Sequence, residues 1–149
     1  MSVTMSDVRQ FLDAEEVDYQ AASLLGPDAL PFLDELVRGD DPMLASKATY
    51  LTSLIPGAGQ AAILAEAASS DDATVRVAAA TGLANLDEEA AAPLADGLLG
   101  DADVGVRKQA VRSAGGFDSP AMTARVQQVA DADPEGFLRS IAAEALRLN

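Results

Sequence analysis

The stretch DADVGVRKQAVRSAGG, Asp101 to Gly116, decides the fold because it is a copy. At a distance of 31 residues toward the N-terminus stands SDDATVRVAAATGLAN, Ser70 to Asn85, with the same order of acid, Val-Arg pair and small residues. The register extends in both directions. Ala45, Arg76, Arg107 and Arg139 follow at steps of 31, 31 and 32, with Leu44, Val75, Val106 and Leu138 beside them. Val17, Ala48, Ala79, Ala110 and Ala142 make a further column, and Leu24, Ile55, Leu86 and Phe117 another. Repeats of this length bury their apolar faces by stacking on their neighbours.

Each unit reads as two helices. In the first, Val75, Ala79, Gly82 or Leu83, and Leu86 recur at three- and four-residue spacing, one face of a helix. Asp41, Asp72, Asp103 and Asp133 stand where an N-cap accepts otherwise unpaired backbone N–H groups, and Pro42 and Pro134 follow two of them. Turns separate the halves at Gly26–Asp28, Pro56–Gly59, Leu86–Glu89 and Gly115–Pro120. Second helices follow in DALPFLDELVRGD, GQAAILAEAASSD, EEAAAPLADGLLGD and SPAMTARVQQVADAD, with Pro31 and Pro93 in or just after the first turn. The expectation is one domain over 1–149. It opens with a helix near Ser6 to Leu12, continues in repeats over about 14–40, 41–71, 72–101 and 102–131, and ends in a half-repeat at 134–148.

Composition agrees with an all-α chain. Ala fills 31 of 149 positions, while there are 4 Phe, 2 Tyr and no Trp, so the core depends on close helix approach rather than on large rings. The 24 acidic and 10 basic side chains give a formal charge of −14. Such a surface repels phosphate and anionic lipid, which argues against nucleic-acid and membrane partners. Asp outnumbers Glu sixteen to eight and only Lys47 and Lys108 are lysines. That balance resembles proteins of salt-accumulating, halophilic microbes, and it fits an ordinary acidic protein of a high-GC bacterium equally well. Neither Cys nor His occurs, which removes disulfides, thiolate sites, the commonest general base and the commonest zinc ligand. With no apolar run of spanning length and no leader, the expected location is the cytoplasm.

The segments DADVGVRKQAVRSAGG and EEAAAPLADGLLGD resemble the HEAT-repeat family, specifically its short-repeat branch named after phycobilisome lyases. The resemblance runs from about Asp13 to Leu148 and implies a right-handed α-solenoid of about four and a half HEAT-like helical hairpins. It also implies a ladder of Asp–Arg bonds within and between neighbouring repeats. The matching residues are Asp71 or Asp72 with Arg76, Asp101 or Asp103 with Arg107, and Asp133 with Arg139, whereas Ala45 departs from the pattern. Repeats of this kind serve mainly as binding scaffolds. Deoxyhypusine hydroxylases resemble the class but need recurring His, which is absent here. HEAT-like DNA glycosylases rely on a basic groove and aromatic rings that this composition does not supply. A lyase-like or small-molecule-binding subunit remains the alternative in another class.

Three local motifs have plainer readings than the sites they resemble. DADPEGFLR from Asp131 copies the opening of a Ca²⁺ loop, but Ala142 stands where the closing Glu belongs, so helix capping is the reading for Asp133. PGAGQAA at Pro56 to Ala62 has no strand before it and reads as a turn rather than a phosphate loop. Asp40 with Asp41, Asp71 with Asp72, and Asp87 with Glu88 and Glu89 fall at helix corners and read as solvated caps. No catalytic residue, cofactor or metal site is expected.

Two surfaces carry expectations of function. On the second helices, which would line the concave face, the apolar stripe takes Leu30, Leu33, Leu36 and Val37. Asp34, Glu35 and Arg38 are left outward, with Glu66, Ser69, Asp96, Arg125 and Gln128 equivalent to them. This mostly acidic set suits a protein partner with a basic surface or peptide. The last helix, FLRSIAAEALRLN, is richer in apolar residues than one neighbour can cover. Either it pairs with a second copy to form a homodimer, or Phe137 and Leu148 fold back on the preceding helices.

Overall fold

The computed structural model describes residues 2–148, together with all their side chains except that of Leu148. Among these residues there are ten α-helices and two 3-10 turns, and no strand. The chain is all-α and built from successive helix pairs, consistent with the expected α-solenoid class. It divides into two compact units, Met1–Ala79 and Ala80–Asn149, and the boundary falls inside one helix.

The first unit begins with α1 (Met5–Leu12), whose N-cap Thr4 and Asp7 close a reciprocal capping box. Then come α2 (Tyr19–Ser23), a 3-10 turn at Pro27–Ala29, α3 (Leu30–Val37), α4 (Pro42–Ser53), α5 (Gln60–Ala68) and the start of α6 (Ala73–Gly82). Val8, Leu12, Leu33, Leu51, Ile55 and Leu64 are its fully buried large side chains, and α4 packs against both α3 and α5. Asp41 and Asp72 stand before α4 and α6 and accept from the backbone there. Gly59, in the left-handed region at φ 100°, starts α5. Gly57 comes so close to Pro27 that an added Cβ would stand 3.1 Å from the ring. The PGAG segment is therefore turn chemistry. Beside it, the Gln60 amide donates to the carbonyls of Thr52 and Ser53, satisfying the end of α4.

Two columns read from the sequence depart from their register in this unit. Val17 lies ahead of α2 and is half-buried, unlike the buried Ala48 and Ala79. Leu24, in column with the buried Ile55, is 85% exposed. The cause is local: α2 lasts five residues, and Gly26, at φ 76°, turns the chain into the 3-10 segment before Leu24 can reach a core.

The second unit holds the rest of α6, a 3-10 turn at Leu83–Asn85, α7 (Glu88–Leu98), α8 (Val104–Ala114), α9 (Pro120–Ala132) and α10 (Gly136–Leu148). Asp87, Asp103 and Ser119 cap α7, α8 and α9. Pro93 is tolerated as the sixth residue of α7. Leu83, Leu98, Val106, Val111, Met122 and Leu138 form the core, and α10 packs on both α9 and α8. Contact there is tight: a Cβ on Gly115 would stand 2.9 Å from that of Ala145. Phe137 does not fold back, being 50% exposed, and the side chain of Leu148 lies outside the described residues.

Asp133 is not an N-cap of α10. The helix begins three residues later, and the Asp133 carboxylate instead accepts from the Glu135 N–H at 2.9 Å. Asp101 accepts from Asp103 N–H in the same way, so Asp133 is the counterpart of Asp101 at a step of 32.

Candidate functional site

The recurring arginines show how the repeat corners are held. Arg76, Arg107 and Arg139 each donate through Nη1 to a backbone carbonyl six residues earlier, on Ser70, Asp101 and Asp133, at 2.8, 2.8 and 2.5 Å. For Arg107 and Arg139 the partner within the repeat is thus the carbonyl, not the carboxylate that the resemblance implied. The carboxylate bond runs to the following repeat. Arg107 Nε donates to Asp133 Oδ2 at 2.9 Å and Nη2 reaches Oδ1 at 3.4 Å. With side-chain exposures of 11% and 4%, this pair sits inside the packing. Two bonds in a shielded place make it directional as well as attractive.

The eight outward residues of the second helices separate into two groups. In the first unit the structure brings Asp34, Arg38 and Glu66 together. Arg38 grips Glu66 with Nε at 3.0 Å and Nη2 at 2.5 Å, and its Nε also reaches Asp34 Oδ1 at 3.2 Å. The i to i+4 spacing aligns Asp34 of α3 with Arg38, the C-cap of that helix, while Glu66 comes from α5. On one side of this triad is a cleft of about 320 Å³ lined by Leu30, Pro31, Ala62 and Ile63. On the other is one of about 480 Å³, lined by Asp40, Asp71, Asp72 and Ser69. Glu35 is exposed and lines neither cleft.

A hydrogen bond with Glu66 holds the Asp34 carboxyl above its ordinary range, while the Arg38 guanidinium holds Glu66 below its own. These shifts act oppositely on stability. The contribution of Glu66 is present above the ordinary glutamate pKa and fades as pH falls through its lowered value. That of Asp34 is present below the ordinary aspartate pKa and fades as pH rises through its raised value.

In the second unit, Asp96 of α7 and Arg125 of α9 form the corresponding bridge, with Nε–Oδ1 at 2.6 Å and Nη2–Oδ2 at 3.3 Å. Arg125 holds the Asp96 carboxyl below its usual range. Gln128 joins them around a cavity of about 250 Å³, together with Leu99, Val129 and Asp133. The acidity expected of the second helices is therefore balanced in part by their own arginines. Arg38 serves both Asp34 and Glu66, from 4 and 28 residues away, and Arg125 serves Asp96 from 29 residues away. What stays strongly acidic is the rim at Asp40, Asp71 and Asp72. In sequence these are solvated corner caps, and nothing in their spacing assigns them to a cleft.

Among the described residues no group of three acidic side chains converges as a metal site would require, and no helix is long and apolar enough to cross a membrane. Asp131, the first acid of the Ca²⁺-like segment, accepts from Gln127 instead. The sequence model described as HEAT repeats matches residues 60–147, more than half of the chain. Among curated proteins none matches the sequence.

Proposed function

We propose that this chain, which belongs to the HEAT-repeat family, is a non-enzymatic adaptor that binds a protein partner through the exposed faces of its second helices. Repeats of this family commonly serve as interaction scaffolds. The observation that supports the reading here is the pair of clefts flanking the Arg38 triad, whose linings hold one cation, Arg38, against five carboxylates, on Asp34, Glu66, Asp40, Asp71 and Asp72. A lysine- or arginine-bearing surface would meet complementary charge there, and its apolar residues would meet Leu30, Pro31, Ala62 and Ile63. The test is affinity capture from the native host, read by mass spectrometry, with wild type beside an Asp40→Lys, Asp71→Lys double variant, both positions being exposed on the cleft. One stoichiometric protein should copurify with wild type and be lost at least tenfold from the variant, while the melting temperature changes little. Retention of the partner by the variant would place binding elsewhere.

A second reading is favoured by α10: Phe137 is half exposed there, and this open face supports self-association through the helix.

A further inference from the structure

The way α8 is covered shows what α10 leaves open. Arg107, Val111 and Ala114, at i, i+4 and i+7, share one face of α8, and Gly115 continues it up to Ala145 of α10. The following repeat closes this face. Val111 and Ala114 are buried, and Arg107 has its free edge on Asp133. At a step of 32 the same positions on α10 are Arg139, Ala143 and Leu146. Here Arg139 is exposed and the other two are only half-buried. Arg139 keeps its bond to the carbonyl of Asp133, but among the described residues no side chain meets its Nε and Nη2. This is half a rung: a guanidinium edge and an apolar strip in the register that a following repeat would fill.

The complement to such a rung is a carboxylate in the turn that leads into the first helix of a repeat, as Asp133 is for Arg107. In the turn leading into α2, Asp13 bonds to Arg9 and Asp18 caps the helix. That leaves Glu15 and Glu16 exposed, with no partner among the described residues. We propose that the Arg139, Ala143 and Leu146 stripe of one copy docks on the Asp13–Asp18 turn of a second copy, with Glu15 and Glu16 supplying the missing carboxylates. This rests on the self-association reading and gives it a polarity. The contact is head to tail, so the two patches are different and assembly proceeds to short chains or a ring rather than stopping at a twofold dimer.

Sedimentation of the full chain against concentration tests this with three proteins: wild type, Arg139→Glu and a Glu15→Arg, Glu16→Arg double variant. Wild type should gain mass with concentration at low salt and lose it at high salt. Each variant alone should associate at least tenfold more weakly. A mixture of the two variants should regain association with both proteins in equal proportion, because the Arg139 of one meets Glu15 and Glu16 of the other and the two altered ends carry opposite charge. Circular dichroism checks folding, and Arg139→Gln serves if the Glu variant unfolds. Wild type that is monomeric at every concentration would overturn both self-association and this contact. Association that survives the Arg139 substitutions, or a mixture that stays monomeric, would overturn the head-to-tail contact and leave the α10 reading standing.

Discussion

The carboxylate of Asp133 accepts from the Glu135 N–H and from two nitrogens of Arg107 while almost wholly withdrawn from water. Removing it would leave a shielded guanidinium without its counter-charge, whereas Asp96, with 59% of its side chain exposed, returns Arg125 to solvent when removed. Asp133→Ala should therefore cost roughly 3 kcal/mol, and Asp96→Ala at most about 1 kcal/mol. Urea denaturation of both variants checks the contrast, and equal losses would contradict the burial argument. The Arg107 pair also shows a limit of reading residues alone. The sequence marks Arg107 and Asp133 as members of a register, but a backbone carbonyl has no sequence signature. The carbonyl halves of these contacts were therefore invisible until the turns were placed.

At the scale of the element, the Ala columns are the most exacting positions. Ala110 and Ala142 are fully buried in a core where helices meet over small side chains. Ala110→Asp would put a charge where no donor waits and should cost more than about 4 kcal/mol. Ala124→Asp, on the exposed side of α9, should stay within about 0.5 kcal/mol of wild type. Thermal melts of the pair check the register itself. These helices were legible because Asp41, Asp72 and Asp103 announce their starts and the apolar spacing repeats. The first repeat was less so: nothing in Leu24 distinguishes it from Ile55, and only the short α2 and the turn at Gly26 explain why one is exposed and the other buried. The pairing of Arg38 with Glu66 was hidden for a related reason. Helical spacing relates residues three and four apart, while a bond over 28 residues depends on how α3 meets α5.

Across the whole molecule the dominant quantity is the formal charge of −14. Like charges on a compact chain repel, and salt screens that repulsion. Raising KCl from about 10 mM to about 1 M, over which the screening length shortens from about 30 to 3 Å, should raise the melting temperature. The scale is roughly 2–4 °C for each kcal/mol relieved. Calorimetry across that series checks it, and a flat or falling series would mean that the internal arginine bridges outweigh the repulsion. Those bridges also measure the chain. The interval from carbonyl to arginine is six residues at Ser70–Arg76, Asp101–Arg107 and Asp133–Arg139 alike. Yet the last repeat is one residue longer, and α9 takes up the difference by running to Ala132. The guanidinium thus works as a ruler. In this chain the extra residue is absorbed before the carbonyl, while the six residues after it keep one length, so a repeat spliced in or lost would have to stay in register with that mark.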